Sequence, residues 1–375
     1  MEYENEIPND ILNIINSLRR IIDMKKRYLA ILIAVMMILL AACGNSNQGK
    51  DQGKDQSKEA KADKGKVVVY SPNSEDIVNT IIPMFEKETG IKVELISAGS
   101  GELLSKIEAE KENPLGDVLF GGSKATIRGK ADLFEPYVSE NDKDMLDDHK
   151  NVDGFLTPYT ADGSLILVNT DLIGDIKVEG YEDLLNPELK GKIASADASN
   201  SSSAFAQLTN QLLAMGGDYE NQKGWDYVGK LLENIDGKIL NSSSAVHKGV
   251  ADGEYTVGLT YEDPSAGYVR DGAPVKIIYP KEGTVYLDAG VEVIKGAKNM
   301  ENAKKFVDFV ISKEAQDAFG SQLTNRPLRK DAKVGDHMKP LSEIKVIKED
   351  ENYVKEHREE IIKKYTDILV NSREK

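Results

Sequence analysis

Two kinds of apolar pattern alternate along this chain. Residues 67–70 (VVVY) form a short β-branched run suited to a buried strand, and apolar residues then recur at helical spacing from Ile77 to Phe85, before a glycine stop at Gly90. In this part of the chain, strands are predicted at residues 67–70, 91–96 and 117–120, and helices at residues 77–89 and 102–111. The β-α-β-α-β order predicts a parallel sheet with helices on its faces.

The same alternation restarts in a second half. Strands are predicted at residues 192–196, 238–240 and 255–260, and the serine-rich turns that follow two of them begin helices. Two longer apolar strands, at residues 163–169 and 286–294, are placed to cross between the halves. Amphipathic helices are predicted at residues 302–319 and 352–373. The order of elements therefore predicts an α/β protein built from two halves.

The amino-terminal region carries a different pattern. A 13-residue apolar run at residues 28–40 follows the basic cluster at residues 24–27 and ends in LAAC at Cys43, which is the layout of a secretory signal peptide. A helix of that length spans about 20 Å, less than the roughly 30 Å hydrocarbon core of a membrane. The LAAC ending resembles the lipobox of bacterial lipoproteins, in which the cysteine is acylated and becomes the mature amino terminus. The alternative is a buried structural cysteine beside a chance apolar run.

The composition of the chain limits its possible binding partners and its cellular location. Residues 1–42 are predicted to be an upstream extension and a lipoprotein signal peptide that starts at Met24, and residues 43–66 a disordered tether without large apolar residues. Cys43 is the single cysteine, which excludes disulfides and cysteine metal sites. The net charge of −15 argues against nucleic acid and against electrostatic adhesion to an anionic membrane. Membrane attachment is therefore predicted through lipid on Cys43, at the outer face of the cytoplasmic membrane.

Candidate chemistry lies where strands end in Gly, Ser and Asn turns that start helices. In an open α/β sheet the ligand binds outside the carboxyl ends of the strands, where helix amino termini offer free N–H groups to an anion. Five segments have this form, at residues 71–74, 97–101, 121–123, 200–203 and 241–244. Ser and Asn at such positions are also ordinary helix N-caps. The recurrence of these turns in both halves favours an anion-binding cleft.

Enzymatic readings have little support. The sequence contains no nucleophile-elbow GxSxG motif, no HExxH and no P-loop. Only His247 among the four histidines follows a serine turn, and a solvated helix position is the favoured explanation for it. No His, Asp or Glu cluster has metal-ligand spacing. No cofactor and no metal are therefore predicted, and a secreted hydrolase is the least favoured interpretation.

The lipobox, the tether, the two halves and the serine turns together resemble a solute-binding lipoprotein of an ABC importer. Residues 67–330 resemble, more narrowly, the ferric-iron-binding-like branch of the type II periplasmic binding proteins. The matching motifs are VYS at residues 69–71, GGS at 121–123, LLNPELKGKI at 184–193, ASNSS at 198–202 and NRP at 325–327. The resemblance implies a two-lobed α/β fold, each lobe a mixed sheet flanked by helices, joined by two crossing strands. It also implies a monomer that delivers solute to a permease driven by an ATPase.

The resemblance also bears on the lobes and on the ligand. The first lobe is expected at residues 67–162 and 286–375, and the second at residues 163–285. Ferric members of the branch use two adjacent tyrosines after a late strand, with a histidine and a glutamate from the first lobe. At the matching strand end this chain has one tyrosine, Tyr261, instead of two, and its first turn has no histidine. Carriers of hexose phosphates or 2-aminoethylphosphonate resemble it better, with ferric iron as the alternative. Expected ligand contacts are Ser71, Asn73, Ser100, Ser123, Ser201 and Ser202 for the anion, and Tyr261, Glu262 and Asp263 for the rest of the solute.

Overall fold

A single mixed sheet runs through the part of the chain, residues 65–373, that the computed structural model describes. The strands are β1 (Lys66–Ser71), β2 (Lys92–Ser97), β3 (Val118–Ser123), β4 (Thr157–Asn169), β5 (Ile193–Ala196), β6 (Ile239–Leu240), β7 (Val257–Tyr261), β8 (Val275–Ile278), β9 (Tyr286–Val293) and β10 (Arg326–Pro327). The helices are α1 (Glu75–Thr89), α2 (Ser100–Ala109), α3 (Lys124–Arg128), α4 (Ser202–Gly216), α5 (Gln222–Ile235), α6 (Ser243–Ala251), α7 (Glu262–Arg270), α8 (Met300–Val310), α9 (Lys313–Ser321), α10 (Glu351–Glu356) and α11 (Arg358–Arg373).

Strand β4 joins the two ends of the sheet. The strand order is β2-β1-β3-β9-β4-β7-β5-β6, and β8 and β10 pair with β4 as well. Residues 157–163 of β4 pair with β9, whereas residues 164–168 pair with β7. The predicted strand at 163–169 is therefore the second half of a longer one. We call the part built on β1, β2, β3 and β9 the first lobe, and the part built on β5, β6 and β7 the second lobe.

Each lobe has its own hydrophobic core. In the first lobe, Phe85 of α1 packs edge-on against Phe306 and Phe309 of α8, with ring centroids 5.0 and 5.6 Å apart. In the second lobe, the core includes Leu212 of α4 and Trp225 of α5. The predicted parallel pairing holds for β1 with β2 and β3, and for β5 with β6 and β7. Strand β9 runs antiparallel to β3, which makes the sheet mixed.

Two predicted helices are divided. The segment expected as one helix at 302–319 forms α8 and α9, because the Ser312 side chain accepts a hydrogen bond from the amide of Ala315 and starts a new helix. The carboxyl-terminal segment likewise divides at His357 into α10 and α11. Regular apolar spacing continued through both breaks in the sequence, so the pattern alone did not reveal them.

The carboxyl-terminal helix lies on the lobe opposite to the one predicted. Residues 286–375 were assigned to the first lobe, but Ile361, Tyr365 and Leu369 of α11 are buried in the core of the second lobe. This part of the prediction is wrong. An amphipathic helix shows which of its faces is apolar but not which neighbour covers that face.

The amino-terminal predictions fall outside the described residues. The signal peptide, Cys43 and residues 43–64 of the tether belong to that part of the chain. At the tether boundary, strand β1 already begins at Lys66, which is in register with Lys92 of β2. Between residues 65 and 373, no helix combines the length and the apolar character needed to cross a membrane.

Candidate functional site

The polar side chains of the first turn of the first lobe form hydrogen bonds within the protein. The buried Ser71 hydroxyl donates to the carbonyl of Phe120 at 2.7 Å and accepts from the amide of Asn73 at 3.2 Å. The side-chain amide of Asn73 donates through Nδ2 to the same carbonyl at 3.0 Å, and its Oδ1 accepts from the Tyr159 hydroxyl at 2.9 Å. These hydrogen bonds tie β1 to β3. They give Ser71 and Asn73 a structural role in place of the predicted free donors.

The turn after β3 depends on glycine. Gly121 has a φ of +115°, and a Cβ placed there would lie 2.7 Å from Oδ1 of Asn73. A side chain at this position would be both strained and obstructed. A Cβ on the neighbouring glycine, Gly122, would lie 3.7 Å from the Ser100 hydroxyl oxygen, so Ser100 lies close to this turn. Ser123 is exposed and caps α3 through a hydrogen bond from the amide of Thr126.

The two serine turns of the second lobe meet. Ser201 caps α4, and its hydroxyl lies 2.9 Å from the hydroxyl of Ser243 on α6. They come together because β5 and β6 are parallel neighbours whose carboxyl ends share one edge of the sheet. Ser202 is exposed on the first turn of α4. The turns at residues 200–203 and 241–244 therefore lie side by side at this edge of the sheet.

Tyr261 lies at the end of β7 near these turns. Its hydroxyl is hydrogen-bonded to Ser203, and its ring packs edge-on against His247 with centroids 5.9 Å apart. Burial raises the pKa of Tyr261 to about 12, so the phenol is protonated at neutral pH. Burial lowers the pKa of His247, which favours the neutral imidazole. This corner of the second lobe therefore offers neutral hydrogen-bonding groups.

Glu262 is buried in the protein interior and is not placed to contact a ligand as predicted. It is 1% exposed and receives two hydrogen bonds from Arg326, one of them 2.7 Å from Nε to Oε2. The Tyr279 hydroxyl donates to Oε1 at 2.5 Å. Because both carboxylate oxygens are hydrogen-bonded within the protein and the side chain is almost fully buried, Glu262 is a structural partner of Arg326. The prediction treated three consecutive residues alike, although the first turn of a helix points successive side chains in different directions.

Asp263 belongs to a second carboxylate group at the lobe junction. Its Oδ1 accepts from the Thr324 hydroxyl at 2.5 Å, and its backbone amide donates to Asp162 at 3.1 Å. Burial raises the pKa of Asp162 well above its usual range, and the neighbouring Asp263 carboxylate adds to that shift. Burial also raises the pKa of Asp263. The junction therefore keeps acidic groups close together in a setting that disfavours their charged forms.

A cavity of about 520 Å³ is bounded by both lobes and by the carboxyl-terminal segment. Ser123 and Thr126 line it from the first lobe, and Ser202, Phe205 and Thr209 from the second. Three cations also line it, namely Lys124, Lys355 and Arg358, together with the carboxylates Asp288, Glu349 and Glu351. Of the predicted anion contacts, Ser123 and Ser202 line this cavity.

Its three cations were missed by the sequence analysis. Lys124 directly follows the GGS turn that was singled out, so its position was a usable signal. Lys355 and Arg358 lie more than 200 residues further along the chain, in a segment predicted only as a charged helix. Lys124 is paired, because its amine lies 3.1 Å from Asp288 and 3.7 Å from Glu351. Across residues 65–373, Lys355 and Arg358 have no carboxylate at ion-pair distance.

The sequence profile of the bacterial extracellular solute-binding proteins matches residues 80–345. The chain belongs to this family. These are transport-binding proteins rather than enzymes, which agrees with the resemblance noted in the sequence. Within residues 65–373, no group of three His, Cys, Asp or Glu side chains is placed to hold a metal ion.

Individual relatives differ in what they are named for. An uncharacterised protein of Haemophilus influenzae is 31% identical over 270 residues, which cover 68% of this chain and 75% of that protein. Iron uptake protein A1 of Synechocystis is 28% identical over 292 residues, covering 74% and 78%. Among solved structures, the periplasmic binding protein AfuA of Actinobacillus pleuropneumoniae, with exogenous fructose-6-phosphate bound, is 30% identical with a TM-score of 0.66, covering 82% of this chain and 99% of that one. The fold is that of the type II periplasmic binding proteins, as predicted.

Proposed function

We propose that this protein captures a small phosphorylated or phosphonylated organic solute, of the hexose phosphate or 2-aminoethylphosphonate type, and delivers it to an ABC permease. The observation that carries the proposal is the cavity between the lobes, which combines serine and threonine hydroxyls with three cations. Charged donors bind phosphate oxygens more strongly than neutral donors do. The volume of about 520 Å³ is also in the range of sites for small organic ligands.

The polar groups of the two lobes suit different ends of such a solute. Ser123 and Ser202 are proposed to donate to the anion from opposite walls of the cavity, with Ser100 and Ser201 nearby. Tyr261 and Asp263 are proposed to contact the remainder of the solute. The similarity to AfuA, whose structure holds fructose-6-phosphate, supports this assignment. Contacts from both lobes would favour the conformation in which the lobes close over the solute.

Ferric iron is the second candidate, because Iron uptake protein A1 is similar over 74% of this chain. Iron(III) requires several anionic oxygen ligands. Tyr261 would have to lose its proton, and burial works against that loss. A ferric complex of a tyrosinate is coloured, whereas a sugar phosphate complex is colourless, so the purified protein distinguishes the two by absorption in the visible range.

Attachment to the membrane is proposed to be through lipid on Cys43, which keeps a monomeric receptor beside its permease. The basic cluster, the 13-residue apolar run and the LAAC ending support this part of the proposal. A tether of polar residues between Cys43 and β1 would let the lobes stand away from the membrane surface. Retention near the permease raises the local concentration of captured solute.

Calorimetry tests the choice of ligand. The mature chain, with Cys43→Ser to keep it soluble, is titrated with fructose 6-phosphate, glucose 6-phosphate, 2-aminoethylphosphonate, Fe³⁺ and unphosphorylated fructose. We expect at least one phosphorus compound to bind and fructose to bind at least tenfold more weakly. Binding of Fe³⁺ alone would show that the phosphorylated-solute proposal is wrong. Native mass spectrometry of the protein as purified gives an independent reading of the co-purifying mass.

A further inference from the structure

The segment at residues 349–358, which we call the strap, is held by both lobes. On the second lobe, Glu349 accepts a hydrogen bond from the Thr209 hydroxyl at 2.9 Å. The Tyr353 ring stacks on Tyr219, with centroids 4.9 Å apart and planes 7° from parallel. These contacts come from α4 and from the turn between α4 and α5, so the strap is anchored on the second lobe at two points.

Glu351 fastens the strap to the first lobe. Its Oε2 lies 2.6 Å from Nη1 of Arg128, and its Oε1 lies 3.7 Å from the amine of Lys124. Arg128 also forms an ion pair with Asp153 at 2.8 Å, which fixes the guanidinium from the other side. The strap thus crosses from one lobe to the other along an edge of the cavity.

Two cations of the strap, Lys355 and Arg358, line the cavity and form no ion pair within the described residues. The guanidinium carbon of Arg358 lies 3.9 Å from the centre of the Phe205 ring, and Phe205 is itself buried. An arginine stacked on an aromatic face keeps its N–H edge available for an acceptor and loses little conformational freedom on binding. Lys355 is exposed and lies beside α3, where its amine is 3.7 Å from the position of a Cβ on Gly129.

The carboxylates of the cavity do not neutralise these two cations. Asp288 and Glu351 are engaged by Lys124, and Glu351 also by Arg128. Glu349 accepts a hydrogen bond from Thr209, and burial raises its pKa. Of the three cations that line the cavity, Lys355 and Arg358 are therefore the two without an ion-pair partner among the described residues, on a strap that also carries Asp350 and Glu356.

We propose that the strap completes the anion site, with Lys355 and Arg358 binding the phosphate or phosphonate oxygens of the solute. The inference rests on the proposed function and makes it specific, because it assigns the charged contacts to the carboxyl-terminal segment rather than to the serine turns. It also gives the strap a role in specificity: an uncharged sugar gains nothing from these cations, whereas a dianion is held by both.

The test uses single and double charge-removing variants in the mature chain. Lys355→Gln and Arg358→Gln are compared with Lys364→Gln, a control on α11 whose amine lies over Trp225 at 4.5 Å and outside the cavity. Affinity for fructose 6-phosphate is measured by calorimetry, and melting temperatures show whether each variant is folded. We expect each cavity variant to bind about 10- to 100-fold more weakly, the loss that follows from removing one charge-assisted hydrogen bond. The control is expected to bind like the wild type.

Each outcome decides between the proposals. If the wild type binds fructose 6-phosphate and the double variant Lys355→Gln/Arg358→Gln stays within threefold of it, the strap proposal is wrong and the proposed function stands. An equal loss in Lys364→Gln would also overturn the strap proposal, since the effect would not belong to the cavity. If the wild type binds neither sugar phosphates nor 2-aminoethylphosphonate, the proposed function itself fails. Should Arg358→Gln unfold, the exposed Lys355→Gln still provides the test.

Discussion

The ion pair between Glu262 and Arg326 lies where the two lobes join, and its removal gives a quantitative test of the fold. Glu262 begins α7 in the second lobe, whereas Arg326 lies on β10, which pairs with the first-lobe half of β4. Both side chains are at most 2% exposed. The guanidinium carbon of Arg326 also lies 5.2 Å from the centre of the Tyr286 ring, so an aromatic side chain covers the pair as well.

The magnitude follows from the burial and the geometry. Unit charges about 4 Å apart interact by roughly 4 kcal/mol at an effective dielectric constant of about 20. Removing one partner of a buried pair typically costs about 3–5 kcal/mol, because the other charge stays buried without compensation. We expect Arg326→Met and Glu262→Gln each to lower the free energy of unfolding by about this amount. The double variant should lose at least ~2 kcal/mol less than the sum of the two single losses.

Urea unfolding supplies the measurement. Trp225 is the single tryptophan and is buried in the second lobe, so its fluorescence reports that lobe. Far-ultraviolet circular dichroism follows the whole fold and shows whether the lobes unfold together. Glu94→Gln removes one partner of an exposed pair with Lys66 and should leave the unfolding free energy nearly unchanged. Single losses below about 1 kcal/mol, or strictly additive losses, would refute the assignment of Glu262 to a buried structural pair.

Three further expectations concern separate parts of the molecule. Burial raises the pKa of Asp162, so above pH 3.8 the native state binds more protons than the unfolded state, and stability falls as the pH rises. The Asp162→Asn variant should therefore have a higher melting temperature than the wild type at pH 7 and the same melting temperature near pH 4. Identical melting temperatures across this pH range would contradict the argument. Gly121→Ala adds a methyl group 2.7 Å from the Asn73 side chain at a φ of +115° and should lower the melting temperature, whereas Gly267→Ala, which meets nothing within 4 Å, should not. Cys43→Ser should abolish incorporation of labelled palmitate and release the protein from membranes; retained label would exclude Cys43 as the acylation site.

Local sequence patterns determined much of the architecture. The β-branched run at residues 67–70 and the alternating run at 91–96 became neighbouring parallel strands, because a short apolar run between turns satisfies its backbone only by pairing. Gly90, predicted as a helix stop, adopts the left-handed conformation and caps α1. Segments 163–169 and 286–294 were expected to link the halves, and β4 does continue from one lobe into the other.

The candidate site was only partly predictable. Ser201 and Ser243 were expected at the same edge of the sheet, and their hydroxyls are 2.9 Å apart. Ser71, Asn73 and Glu262 were expected to be free for ligand, yet their polar atoms are engaged within the protein. Residue type fixes the number of donors and acceptors that a side chain has, but only its neighbours decide how many remain available.

By itself, the sequence determined the order of strands and helices, the family, and the serine turns that meet at the ends of the strands, because these depend on short-range spacing and on turn-forming residues. Tertiary structure alone decided that α11 packs on the second lobe, that Arg326 neutralises Glu262, and that Arg358 stacks on Phe205 beside the cavity. Each of those contacts joins residues between about 60 and 160 positions apart. Such contacts arise from the closure of long loops around packed cores, which no local pattern records.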